Sequence, residues 1–242
     1  MTGSQDFVGR TALVTGAGGG IGAALVVGLL EAGATVVATA RRTDPPRLAD
    51  VGTELRGHLD VRVADMRDLD SLPALVSSVE RDHGSLDVLV PAAGVGAVHG
   101  LDVSLDVWQE ALTVNLTAPW LLAQAALPGM TARGFGRILF LSSIAAYTGG
   151  RIGPHYAASK AALHGLTHSI ASRTVAAGVT ANAIAPALID GTDMVAAIPN
   201  VTPAPIGRFG RPDEVTSLAL AMLSNGYLTG QVVLLDGGIR PD

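Results

Sequence analysis

The chain is predicted to fold as one α/β domain: a doubly wound, seven-stranded parallel sheet with helices on both faces. Three observations carry that prediction. Short β-branched runs alternate with longer helical stretches, several runs are apolar at every position, and a glycine-rich turn links the first run to the first helix. Such alternation builds parallel sheets through crossover helices, and strands covered on both faces lose the in–out alternation of polar residues. The 242 residues suffice for one large core, and no linker or internal repeat divides them. Residues 1–242 are therefore read as a single domain.

Thr11–Thr15, β-branched and apolar, is the first strand. Gly16, Gly18, Gly19, Gly20 and Gly22 follow it, with Ile21 among them. Glycines permit positive φ and close backbone approach, and the helix they open, Gly20–Ala32, offers unpaired N–H groups to a pyrophosphate. Ala34–Ala40 is the second strand and Val61–Ala64 the third, and a helix over 68–83 leads to a fourth strand, Leu86–Val90. A long helical pattern covers Leu105–Ala132, where Pro119 is expected to bend it or mark a join. Arg137–Leu141, the helix His155–Ala177, Val179–Ile184 and Gln231–Leu235 complete the alternation. The Pro- and Gly-rich stretch 185–211 reads as a loop over the carboxyl edge of the sheet, where loops carry binding function.

Charged residues make up 15% of the chain and aromatics 4%, so small aliphatic side chains must fill most of the core. A formal charge of -5 gives no basic field for nucleic acid or anionic lipid. The absence of cysteine excludes disulfides and thiolate metal sites. Residues 1–9 are polar and lack a secretory apolar segment, and no apolar run reaches membrane-spanning length. A cytoplasmic protein with no membrane or nucleic-acid partner is expected. His164 and His168 have a spacing that can bind metal, but no acidic residue lies nearby in sequence and no metal is expected.

The most informative constellation is Ser143, Tyr156 and Lys160. A phenol and an ammonium at i and i+4 share one helix face. The ammonium favours the phenolate, which should lower the tyrosine pKa from about 10 toward neutrality. A serine hydroxyl from a strand end would supply a second hydrogen bond to a substrate oxygen. Hydride transfer to or from a carbonyl needs that pairing of a tuned proton donor and a polarising donor. Ser142 competes with Ser143, although neighbouring strand residues point to opposite faces. Tyr147, with no lysine four residues on, is expected to pack beside the substrate.

The run Thr15-Gly16-Ala17-Gly18-Gly19-Gly20-Ile21-Gly22, together with Tyr156-Ala157-Ala158-Ser159-Lys160, resembles the short-chain dehydrogenase/reductase family over essentially the whole chain. The nearest branch is the single-domain ketoreductases that include 3-oxoacyl-carrier-protein reductases. The resemblance implies a Rossmann fold and a catalytic four of Asn115, Ser143, Tyr156 and Lys160. Asn115 would anchor a water that relays protons to Lys160, and Lys160 would also bind the nicotinamide ribose. It matches Asp65 to the aspartate that bonds the adenine amino group. Met66, Ala93, Gly94, Pro186, Ala187, Ile189 and Thr192 join Tyr156 and Lys160 along the cofactor. A homotetramer or homodimer is implied as well.

Three departures stand out. Pro91-Ala92 replaces two asparagines that normally brace the sheet behind the nicotinamide. The threonine expected five residues after Pro186 arrives one place late, at Thr192, with Gly191 before it. The segment from Met194 to Ile206 is short for the helical lid of this branch, and Pro199, Pro203 and Pro205 oppose a helix.

The end of the second strand reads Thr39-Ala40-Arg41-Arg42, with no acid to hold a ribose 2′-hydroxyl, and Arg41 and Arg42 can meet a 2′-phosphate. NADP is favoured over NAD. The expected activity is reversible hydride transfer between NADP(H) and a small-molecule ketone or secondary alcohol, with Tyr156 as acid/base. Ser143, Tyr147, Tyr156, Leu188 and Met194 are the candidate substrate contacts. The alternatives are a 3-oxoacyl-thioester reductase, an NAD-linked alcohol dehydrogenase, and a dinucleotide-binding regulator without catalysis.

Overall fold

The computed structural model describes residues 6–49 and 51–240; the expectation for the N-terminal segment falls partly on residues 1–5, outside the described residues. Seven strands form one parallel sheet: β1 (Thr11–Thr15), β2 (Thr35–Ala40), β3 (Leu59–Val63), β4 (Val88–Pro91), β5 (Gly136–Leu141), β6 (Val179–Pro186) and β7 (Val232–Leu235). Their order is β3-β2-β1-β4-β5-β6-β7, and every ladder is parallel. The order reverses between β1 and β4, and a crevice opens there at the carboxyl ends of the strands.

Nine α-helices accompany the sheet among the described residues. They are α1 (Gly20–Glu31), α2 (Thr53–Arg56), α3 (Leu72–His83), α4 (Leu105–Leu112), α5 (Ala118–Arg133), α6 (Ala145–Thr148), α7 (Pro154–Thr174), α8 (Asp193–Ala196) and α9 (Pro212–Ser224). None is long and apolar enough to cross a membrane. The two faces of the sheet are read directly from alternating strand residues. Ala12, Val14, Leu139 and Leu141 point into a core with Leu25 and Leu29 of α1 and Val215 and Met222 of α9. Leu13, Ile138 and Phe140 point the other way, toward Val76 of α3, Leu122 and Met130 of α5, and Leu163 and Ile170 of α7.

The expected elements are all present, with ends shifted by a few residues. The long helix does break, just ahead of Pro119. A π-helical segment, Thr113–Thr117, separates α4 from α5 and carries Asn115. The helices α2, α6, α8 and α9 were not anticipated, α8 lying within the stretch 185–211 expected to be a loop. For α9 the signal is present: Pro212 occupies the first turn with Asp213 and Glu214, and Glu214 accepts the Arg211 N–H at 2.9 Å.

At the opposite edge of the sheet, Asp87 is buried at the start of β4. Its carboxylate accepts the Thr11 N–H at 3.1 Å and the Ser85 hydroxyl at 2.9 Å, with Arg10 and Arg133 within 3.9 Å. Asp87→Ala is expected to destabilise the fold by about 3 kcal/mol, since it orphans a buried backbone donor and uncouples two cations. Urea denaturation monitored by circular dichroism measures the loss.

Candidate active site

The glycine turn is shaped by contact with the exit of β4. Gly16 has φ +71, and a Cβ there would lie 2.6 Å from the Ala93 backbone. The Thr15 hydroxyl accepts the Ala93 N–H at 3.1 Å, which fixes the same approach. Helix α1 then begins at Gly20, with Gly19 as its N-cap and no side-chain cap. At Gly18 an added Cβ would meet nothing nearer than 4.0 Å, so this part of the turn faces open space. A cradle of that kind fits a pyrophosphate at a helix N-terminus.

Two adjoining clefts run along the carboxyl edge. The first, about 340 Å³, is bounded by Gly16, Gly18, Gly19, Arg41, Arg42, Asp65, Met66, Ala93 and Gly94. The second, about 210 Å³, is bounded by Gly16, Gly19, Gly20, Ile21, Gly22, Gly94, Ser143, Tyr156, Lys160, Pro186, Ala187, Ile189, Thr192 and Met194. Every residue expected on the cofactor borders one or both. Gly191 adopts φ +68, a left-handed bulge that absorbs the extra residue and brings Thr192 to the cleft wall. The Thr192 hydroxyl is already engaged, donating to the Ile189 carbonyl at 2.7 Å and capping α8 through the Val195 N–H.

Ser143, Tyr156 and Lys160 converge at the end of the second cleft. Ser143 Oγ accepts the Ala145 N–H at 3.1 Å. Lys160 Nζ donates to the Leu141 carbonyl at 2.7 Å and stands 5.7 Å from the centre of the Tyr156 ring. The expected depression of the tyrosine pKa is not found. Burial raises it to about 12, with the Ser143 hydroxyl opposing, and burial lowers Lys160 to about 8. Desolvation penalises the charged form of each group.

Asn115 is fully buried and does not border either cleft. Its amide group donates to the Val95 carbonyl at 2.9 Å and Ser159 Oγ at 3.0 Å, while Oδ1 accepts the Val95 N–H at 2.8 Å. Both amide protons are thus given to protein acceptors. Contacts from Thr15 and Asn115 also explain how the 93–95 segment is held without the two missing asparagines. The cost of Pro91 appears elsewhere: β4 pairs with β1 as far as Pro91 but with β5 only at Val88 and Leu89.

Two candidate substrate contacts lie outside the second cleft. Tyr147 does not border the clefts; its ring lies 5.0 Å from that of His164, with the Arg240 guanidinium 4.7 Å away. Leu188 lies outside the second cleft but packs with Met194 and Ile198 in an apolar cluster around Tyr156. His164 is spoken for, bonded to Ser142 Oγ at 2.8 Å, and Ser142 Oγ also donates to the Lys160 carbonyl. Ser142 therefore fastens α7 to β5, and Ser143 has the free position. His155 is buried beside His99, which with desolvation lowers its pKa while the Ala97 backbone opposes. Sequence reasoning missed Pro45, Pro46, Arg67 and Asp193, which also border the clefts.

Residues 10–201 match the family model for short chain dehydrogenases. The chain belongs to that family. It is 38% identical to cis-4-hydroxycyclohexanecarboxylate dehydrogenase of Sinomonas cyclohexanicum, over 97% of this chain and 98% of the relative. It is 33% identical to a 3-oxoacyl-acyl-carrier-protein reductase of Vibrio harveyi, over 97% and 99%. Among solved structures it resembles a Beutenbergia cavernae protein assigned as an NAD(P)-dependent gluconate 5-dehydrogenase, with NADP bound at low occupancy. That likeness has a TM-score of 0.88 and 36% identity, covering 98% of this chain and 99% of the other. The protein is an oxidoreductase of this family with its Rossmann sheet.

Lys160 carries its charge below about pH 8 and loses it above. An anionic dinucleotide favours the charged amine, so affinity is greatest at low pH and declines as pH rises through that value. NADPH titrations between about pH 6.5 and 9.5 are expected to show the decline, and Lys160→Met to flatten it.

Proposed function

We propose that the protein catalyses reversible hydride transfer between NADP(H) and a ketone or secondary alcohol. The observation that carries this reading is the meeting of buried Tyr156, Ser143 and Lys160 at the end of a cleft that begins at the glycine turn. The nicotinamide supplies or accepts the hydride when bound there. Gly18 to Gly22 would hold the pyrophosphate, Asp65 and Met66 the adenine side, and Gly94, Pro186, Ala187 and Thr192 the nicotinamide side.

The chain's own residues manage the substrate oxygen. Ser143 donates a hydrogen bond to it and polarises the carbonyl. Tyr156 gives its phenolic proton to the same oxygen as negative charge develops. Reduction requires the phenol rather than the phenolate, and burial favours that form. Lys160, an ammonium below about pH 8, stabilises the phenolate left behind. Asn115 acts as a positioning residue, fixing Val95 and Ser159 on either side of the centre.

Arg41 and Arg42 support NADP as the cofactor, since both border the first cleft and β2 ends on Ala40 rather than on an acid. A bulky, largely apolar ketone suits the cluster of Ile152, Leu188, Met194, Ile198 and Val201 around Tyr156.

Tyr156→Phe is expected to abolish NADPH oxidation across a ketone panel and leave NADPH binding within about twofold. Retained turnover in that variant would refute the mechanism. Replacing Arg41 and Arg42 together by Ala should raise KM for NADPH by roughly ten- to a hundredfold and barely alter that for NADH. Steady-state kinetics with both dinucleotides measures the contrast.

A further inference from the structure

An ion pair joins the two banks of the clefts. Arg47 belongs to the 3-10 turn Pro46–Leu48 that follows β2, and Asp193 opens α8 on the substrate loop. The two side chains meet at 3.0 Å across 146 positions of sequence. Asp193 borders both clefts, and Pro45 and Pro46 border the first. The Asp193 carboxylate is 89% exposed, so the pair contributes little to holding the fold together. Its charges matter for a different reason: the carboxylate stands on the wall of a cleft suited to phosphates.

An acid is locally favoured at that position. It occupies the first turn of a helix capped by Thr192, where negative charge suits the peptide dipoles. The same carboxylate opposes any anion lying along the cleft. The other acid on the wall, Asp65, is held by the Arg67 backbone and guanidinium. Arg42 is drawn toward Asp44 at 3.6 Å, which leaves Arg47 as the cation in contact with Asp193.

We propose that Arg47 is a positioning residue for the dinucleotide: it neutralises Asp193 at the cleft mouth, and without it Asp193 repels the cofactor phosphates. This rests on the nucleotide reading of the clefts given above. Arg47 acts through Asp193 and makes no required phosphate contact of its own. The neutral pair lets the substrate loop keep a helix-starting acid beside an anionic ligand.

The test compares the intact protein with Arg47→Ala, Asp193→Asn and the double variant, using NADPH and NADH titrations and steady-state kinetics at low and high salt. Arg47→Ala is expected to weaken dinucleotide binding roughly three- to tenfold, with the change in KM rather than kcat, and salt should shrink the loss. Adding Asp193→Asn should restore affinity to within about twofold of the starting protein. Unchanged binding in Arg47→Ala overturns the proposal. So does failure of Asp193→Asn to rescue it, because Arg47 would then be touching phosphate itself. A starting protein that binds neither dinucleotide sinks the cleft reading, and this proposal with it. Thermal midpoints of the variants separate an affinity change from a folding defect.

Discussion

Asn115 gives both amide protons to Val95 and Ser159 and takes one back from the Val95 N–H, all without contact with solvent. Three elements are joined at that one carboxamide: the chain leaving β4, the helical arm α4–α5, and α7 with Tyr156 and Lys160. Ser159 in turn donates to the Tyr156 carbonyl at 2.8 Å, so the tie extends into the turn of helix that presents the phenol. A buried amide group without partners costs about 1–3 kcal/mol, which makes this arrangement close to all-or-none. The π-helical turn is the distortion that aims Asn115 inward, in keeping with the tendency of such bulges to occur at functional sites.

Around that tie, burial acts on the two titrating groups in opposite directions. It holds Tyr156 protonated and makes it easier for Lys160 to lose its proton. The resting centre therefore holds a neutral phenol. An i, i+4 spacing shows that two groups share a helix face, but it does not report the solvation of either. That is why the sequence suggested a depressed tyrosine pKa and the structure has the reverse.

The strands, their parallel sense and the glycine turn were legible because each rests on a local pattern. Apolar runs mark covered strands, and the glycines mark the turn. Gly191, at positive φ, precedes Thr192 on the cleft wall, a backbone turn that the one-place offset in the sequence did not reveal. Helix α9 was passed over although Pro212, Asp213 and Glu214 announce its start. Proximity to Ser143 in sequence says nothing of the turn α6, which sends the Tyr147 ring toward His164 and Arg240. The Arg47–Asp193 contact has no sequence signal, as its partners come from opposite ends of the sheet order.

The substrate loop is pinned at its base. Ile189 and Gly210 form an isolated parallel bridge, with the Gly210 N–H donating to the Leu188 carbonyl at 2.9 Å and the Asp190 N–H to the Gly210 carbonyl at 2.8 Å. The stretch between them has further ties, to Arg47 through Asp193 and to Arg151 through the Pro199 and Asn200 carbonyls, so its position is coupled to both banks of the clefts.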